Sequence, residues 1–304
     1  MAEHYQCQTG HLPTDGYQIF YRIYRNPHCH SGRRMLMLHG AGVDGGFTWE
    51  PTLHHLHSWS EVLVPDLRGM GRSVPLEHNQ GLGVPLAHKQ GSDVVEAQDS
   101  AFVIEDVVDD VQALLDHLGW FEMDLAGYSF GGLTAMLLKQ RRPSAFVNTY
   151  LLEPAFMERV DLEEMRQVRE TYSQAAAMMR DLPEPETGIT RFLDQISPRR
   201  SKSQRVEHAT VHRLKNRVLG FSYALDAVTD AVQRLDRDAL LEAQQRVISF
   251  VGKKSLETMK ECHQLQQDRF DDWQYVEVVG CDHSLPFQKP SRIADIMERS
   301  VSNL

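Results

Sequence analysis

Short runs of β-branched and aliphatic residues recur along this chain with longer stretches of helical spacing between them, a pattern that constrains it to a mostly parallel sheet covered by helices. YQIFYRIY (17–24) alternates and is expected as an early antiparallel strand. MLML (35–38), EVLVP (61–65), MDLA (123–126), VNTYLL (147–152), RVISFV (246–251) and WQYVEVV (273–279) are the later candidates. Helices are expected near 102–119, 130–142, 255–270 and 288–302, the first stopping at Gly119, a residue suited to a left-handed helix terminus.

Residues 155–235 break this rhythm. They are rich in Glu, Arg, Gln and Met, hold no convincing strand, and are interrupted by the loop-like DLPEPETG (181–188) and SPRRSKSQ (197–204). The expectation is an α/β core formed by 1–154 and 236–304, with 155–235 inserted as a helical cap. Such a cap can select substrates; the plainer alternative is a surface helical subdomain. A second irregularity runs from Pro75 to Ser100, where PLEHNQG is followed by PLAHKQG. The duplication is too short for a repeat architecture and reads as a polar loop, a solvated insertion in preference to a flap over a site.

A chain of 304 residues suffices for one large core with an insertion, and 41% hydrophobic with 24% charged residues is an ordinary globular balance. The formal charge of −10 disfavours nucleic acid and anionic membranes as partners. The start MAEHYQCQTG is polar, and no run approaches the roughly 18 apolar residues of a membrane span, so neither export nor a span is expected. Cys7, Cys29, Cys262 and Cys281 are scattered without metal or redox spacing and read as reduced thiols in a cytoplasm.

GYSFGG (127–132) lies between the apolar MDLA and the helical LTAMLLKQ, so Ser129 falls on a strand-to-helix turn. Such a turn leaves no room for side chains two positions to either side, which accounts for Gly127 and Gly131, while Gly132 relieves packing further. It also sets the hydroxyl at a helix N-terminus, where unpaired N–H groups and the helix dipole favour negative charge. On its own the motif is also compatible with a helix-capping serine.

MLMLHGAG (35–42) and DLRGMGRS (66–73) are two further strand-end loops containing glycine. With HG, D-x-R-G-x-G-x-S and G-x-S-x-G in this order, the sequence resembles the α/β-hydrolase fold family over 17–154 and 236–302, leaving the cap unmatched. The resemblance implies that Ser129 is a nucleophile and that the backbone N–H groups of Ala41 and Phe130 form an oxyanion hole. Tyr128, with Phe130, is a candidate wall of the substrate pocket, core packing being the alternative. Asp66, Arg68 and Ser73 are assigned to holding their loop.

Serine needs a base, and the histidine is usually oriented by a carboxylate. His283, in VEVVGCDHSLPFQKP, resembles the family's base, where a Gly and then a His precede a Pro-containing turn and the last helix. His39 belongs to the HG loop and reads as structural. His54, His55 and His57, like His28 and His30, have no carboxylate cluster beside them and are discounted as metal ligands, so neither metal nor cofactor is expected. Family members generally carry the acid after the strand RVISFV, but Ser255 stands there. Glu153, at the end of VNTYLL, is the choice; Asp282, whose side chain should diverge from that of His283, and Glu257 are the reserves. A plainer role for Glu153 is capping the first cap helix.

The expected activity is hydrolysis of a small carboxylic ester through a Ser-His-acid triad and an acyl-enzyme. Lactone, thioester, amide and carbon–carbon bond hydrolysis remain open, as does the oligomeric state. Haloalkane dehalogenases and epoxide hydrolases of this fold use Asp where this chain has Ser129. The rival from another class is a ligand-binding protein on the same scaffold, supported by the vacant acid position after RVISFV.

Overall fold

The structure is a computed structural model and describes residues 5–76 and 99–302. The duplicated stretch within 75–100 lies, from 77 to 98, outside the described residues. Among the described residues nine strands form one sheet: β1 (Gln6–Pro13), β2 (Tyr17–Arg25), β3 (Arg34–Leu38), β4 (Glu61–Pro65), β5 (Val74–Pro75), β6 (Met123–Tyr128), β7 (Phe146–Leu152), β8 (Val247–Gly252) and β9 (Trp273–Val278). Their order is β1-β2-β4-β3-β6-β7-β8-β9, with β5 a short addition against β2. From β4 through β9 every neighbouring pair is parallel, while β2 is antiparallel to β1, β4 and β5.

The helices are α1 (Gly45–Leu53), α2 (Ile104–Leu118), α3 (Phe130–Arg141), α4 (Leu162–Asp181), α5 (Glu186–Ile196), α6 (Gln204–Lys215), α7 (Val218–Arg234), α8 (Arg237–Glu242), α9 (Glu257–Arg269), α10 (Leu285–Gln288) and α11 (Pro290–Ser302). Strand β3 shows how the sheet is covered on both sides. Alternate side chains point to opposite faces, so Leu36 and Leu38 enter one apolar cluster with residues of α2, α3 and α7, while Met35 and Met37 enter another with Trp49 of α1 and Ile293 of α11. A strand buried on both faces must be apolar throughout, which is why MLML reads as a continuous run.

Helix α2 is amphipathic; Asp106 reaches back to the Val103 N–H at 3.0 Å, and the helix stops at Gly119 with φ 67°. Five helices, α4–α8, occupy the chain between β7 and β8. Among the elements with no counterpart in the sequence expectations are β1 and α1. Strand β1 pairs antiparallel with β2 and is mostly exposed, so it carries no apolar alternation; α1 contains Pro51, which masks a helix in a sequence reading. All four cysteines are free thiols, and among the described residues no helix is long and apolar enough to cross a membrane.

Candidate active site

Strand β6 is buried along its whole length and delivers the chain to Ser129, whose φ of 51° and ψ of −115° turn it directly into α3. A positive φ on a residue other than glycine is strained, typically by about 1–3 kcal/mol, and persists only where the surroundings dictate it. Here they do. A Cβ on Gly127 would lie 2.5 Å from the Gly131 oxygen, and one on Gly131 would lie 2.4 Å from the His39 oxygen. The Ser129 N–H donates to the Leu152 carbonyl at 3.0 Å, and its own carbonyl accepts from the Gly132 and Ala155 N–H groups at 2.9 Å each. The turn is thereby tied to the end of β7 and to the segment beyond it.

That segment begins with Glu153, another strained position at φ 40°, whose side chain is wholly buried. The loop after β9 supplies His283. Its Nε2 lies 3.2 Å from Ser129 Oγ, and its Nδ1 lies 2.6 Å from Glu153 Oε2. With Nδ1–H donated to the carboxylate, the Nε2 lone pair faces the serine hydroxyl. The second carboxylate oxygen of Glu153 accepts from the Gly252 N–H at 2.7 Å and from the Ser255 hydroxyl at 2.5 Å. Ser255 therefore contributes a hydrogen-bond donor to an acid that arrives from the preceding strand.

Neither reserve carboxylate meets the imidazole. Asp282 accepts from the Ser284 N–H at 2.9 Å and the Gln288 amide at 3.1 Å, which turns it into its own loop. Glu257 is exposed and pairs with Lys260 at 3.0 Å and Arg199 at 3.4 Å. Sequence reasoning assigned no role to Ser255 beyond the missing Asp; a lone serine carries no signal for a donor whose acceptor lies 102 residues away.

The two backbone positions considered for an oxyanion hole, Ala41 and Phe130, line the same cavity as Ser129 and His283. The loop holding Ala41 is strapped from beneath. His39 is fully buried; its Nε2 accepts the Leu67 N–H at 2.8 Å, which leaves Nδ1–H to donate to the Gly40 carbonyl at 2.7 Å. Burial lowers its pKa and keeps the ring neutral, as this one-donor, one-acceptor role requires. Asp66 accepts from Arg22 at 2.7 Å, Gly45 N–H at 2.9 Å and Arg72 N–H at 2.8 Å, while Arg68 pairs with Asp110 at 2.7 Å. Ser73 donates to the Asp66 carbonyl and accepts the Phe20 N–H at 2.9 Å. These three residues hold loops and lie outside the cavity wall.

The cavity has a volume of about 250 Å³. Tyr128 forms part of its wall and is also packed, with its ring 5.3 Å from that of His283 and in edge contact with Phe287 at 5.9 Å. Burial first, then the Glu153 charge, raises its hydroxyl well above the ordinary tyrosine pKa, so it remains neutral. Helices α4–α7 supply much of the remaining wall, including Tyr172, Phe192, Leu214 and Phe221. His28, His30, His54, His55 and His57 are all exposed, and among the described residues no group of three or more His, Cys, Asp or Glu side chains is arranged to hold a metal ion.

Residues 35–296 match the sequence profile of a family described as the Alpha/beta hydrolase family. Lipase LipV of Mycobacterium tuberculosis is 30% identical over 122 residues, covering 40% of this chain and 37% of that lipase, so the match spans little more than a third of the relative. Among solved structures, a thermophilic esterase from Thermogutta terrifontis is similar with a TM-score of 0.66 at 19% identity, over 97% of this chain and 98% of the esterase. MGS-M2, an alpha/beta hydrolase enzyme from a Medee basin deep-sea metagenome library, gives a TM-score of 0.72 at 13% identity, over 96% of this chain and 97% of its own.

Proposed function

Because the chain belongs to the alpha/beta hydrolase family, we propose that it is a serine hydrolase that cleaves a small carboxylic ester through an acyl-enzyme on Ser129. One observation carries this reading: the hydrogen-bonded series Ser129 Oγ, His283 Nε2, His283 Nδ1 and Glu153 Oε2 at the wall of a cavity. In the proposed reaction His283 Nε2 takes the hydroxyl proton as Ser129 Oγ bonds to the ester carbonyl carbon. The resulting oxyanion is held by the Ala41 and Phe130 N–H groups, and Glu153 stabilises the imidazolium. Collapse expels the alcohol, which takes the proton from His283. Water then repeats the sequence on the acyl-enzyme, releasing the acid and restoring the serine.

An ester is the substrate bond favoured by the lipase and esterase names of the relatives, with lactone, thioester and carbon–carbon bond cleavage as alternatives for the same groups. Residues 155–235 are assigned to a cap over a core made by 1–154 and 236–304, since α4–α7 supply much of the wall of the cavity that Ser129 lines. The rival reading as a ligand-binding protein drew on the absence of an acid after β8; Glu153 beside His283 removes that support.

Labelling with a fluorophosphonate tests the proposal. The unaltered protein is expected to label stoichiometrically and Ser129→Ala to remain unlabelled; an unlabelled native protein with no turnover on short-chain esters overturns the reading.

A further inference from the structure

Most of the cavity wall is apolar, but one part carries Glu158, Arg169, Tyr172, Ser197, Arg200 and Glu207. Glu158 follows Glu153 on the segment leading to α4, Arg169 and Tyr172 stand one turn apart on α4, and Ser197 closes α5. Arg200 lies between α5 and α6, and Glu207 is in the first turn of α6. Two ion pairs run through this cluster. Arg169 binds Glu158 with side chains only 3% and 4% exposed, and Arg200 binds Glu207 at 2.8 Å and, outside the cavity wall, Asp194 at 2.8 Å.

The pairing is incomplete in every member. Arg169 Nε, Arg200 Nε, Glu207 Oε2 and Ser197 Oγ are buried without a hydrogen-bond partner, and Tyr172 OH and Glu158 Oε2 have none beyond the approach of that hydroxyl to the Glu158 carboxylate. They make up six of the fourteen such atoms found among the described residues, concentrated at one wall of one cavity. Buried polar groups are ordinarily paired, and a partly satisfied network is worse for stability than an apolar wall, so a concentration of unpaired atoms points to a role other than stability.

We infer that this wall is a subsite for a neutral hydrogen-bonding group, a carboxamide or a hydroxyl, at the end of the substrate remote from the scissile ester. The inference rests on the hydrolase reading for the word substrate, and it deepens that reading by naming a substrate class. Both arginines are already matched by carboxylates, Arg169 by Glu158 and Arg200 by Glu207 and Asp194, so the cluster offers no unpaired cation to an anionic ligand. The unpaired atoms comprise donors (the two Nε–H groups), acceptors (the two carboxylate oxygens) and two hydroxyls able to do both, which a carboxamide or hydroxyl matches and an alkyl terminus does not. Burial and the Glu158 charge raise the Tyr172 hydroxyl well above the ordinary tyrosine pKa, so it keeps its proton. Should Tyr172 turn that proton to Glu158, Arg169 Nε–H and the tyrosine oxygen still offer one donor and one acceptor. As the side chains stand these atoms are closed off from the cavity, so a ligand reaches them only by re-orienting the side chains that carry them.

A competing feature is Arg213, also on the cavity wall, whose guanidinium lies 3.6 Å from the centre of the Phe47 ring. It would favour an anionic terminus instead. The experiment therefore uses length-matched nitrophenyl esters with hexanoyl, adipamoyl and adipoyl half-acid groups, together with the acetates of hexanol, ω-hydroxyhexanamide and ω-hydroxyhexanoate, so that either side of the ester can carry the terminus.

In at least one series the carboxamide member is expected to exceed the alkyl member in kcat/KM by about tenfold or more. Tyr172→Phe brings that ratio close to one. The paired substitution Glu158→Leu with Arg169→Met, which leaves no uncompensated charge, inverts it. Calorimetric binding of the same esters to Ser129→Ala reads the same preference without turnover. Alkyl members equal or better in both series, carboxylate members best, or a ratio indifferent to both variants overturns the subsite. Fluorophosphonate labelling of Ser129 alongside that result leaves the hydrolase reading intact, whereas a carboxamide preference in binding without labelling or turnover keeps the subsite and removes the enzyme.

Discussion

At Glu153 the backbone and the side chain have opposite needs. A φ of 40° is costly for any residue with a Cβ, yet it carries the carboxylate from the end of β7 toward the His283 ring and under two donors from β8 and its loop, Gly252 N–H and Ser255 Oγ. Three of the four non-glycine residues with positive φ among the described residues are Ser129, Glu153 and Phe156, so strain is concentrated around the candidate site. Replacing Glu153 by Gln should lower kcat for ester hydrolysis by about 10³–10⁴, because a neutral amide neither holds the required tautomer nor stabilises the imidazolium. Ser255→Ala removes one donor to the carboxylate and should lower kcat about tenfold with KM little changed. Nearly full activity in Glu153→Gln would assign the acid elsewhere. Ser129 was legible in the sequence because its glycines answer a backbone demand that few turns make. Glu153 was legible through the Asp missing after β8, but the geometry that brings it to the ring depends on the parallel register of β7 and β8, which no local pattern encodes.

Among the elements, the junction of β6 and α3 tolerates little change. Helix α3 begins against the end of β3, and a methyl group on Gly131 would meet the Leu38 and His39 oxygens at 2.5 and 2.4 Å, backbone atoms that cannot rotate away. Gly131→Ala is therefore expected to destabilise the protein by about 3 kcal/mol or more, read in denaturant unfolding, and to abolish fluorophosphonate labelling under conditions where the protein remains folded. Loss of labelling with stability unchanged would mean that the turn is looser than this packing allows. The parallel strands were readable from sequence because burial on both faces forces continuous apolar runs such as MLML. Strand β1 was not, since it borrows its order from pairing with β2 and exposes most of its side chains; the polar cavity wall was not, since its six residues meet only through the packing of α4, α5 and α6.

For the molecule as a whole, the response to acid is set in part by a histidine far from Ser129 in function. His263 on α9 is fully buried, neither ring nitrogen has a hydrogen-bond partner, and burial alone lowers its pKa from 6.5 to about 3. Between those two values the unfolded chain binds a proton at this ring and the folded chain does not, so the folded state loses stability as pH falls from 6.5 and stops losing it, on this account, below about 3. A one-proton difference corresponds to a slope of about 1.4 kcal/mol per pH unit. His263→Leu removes that proton together with two unpaired ring nitrogens, so its stability near neutrality should equal or exceed that of the unaltered protein. Its stability should also fall less steeply between pH 6.5 and 3, by about that slope, in denaturant titrations at stepped pH. Equal slopes in the two proteins would show that His263 is protonated in the folded state across this range, and that acid sensitivity comes from other groups.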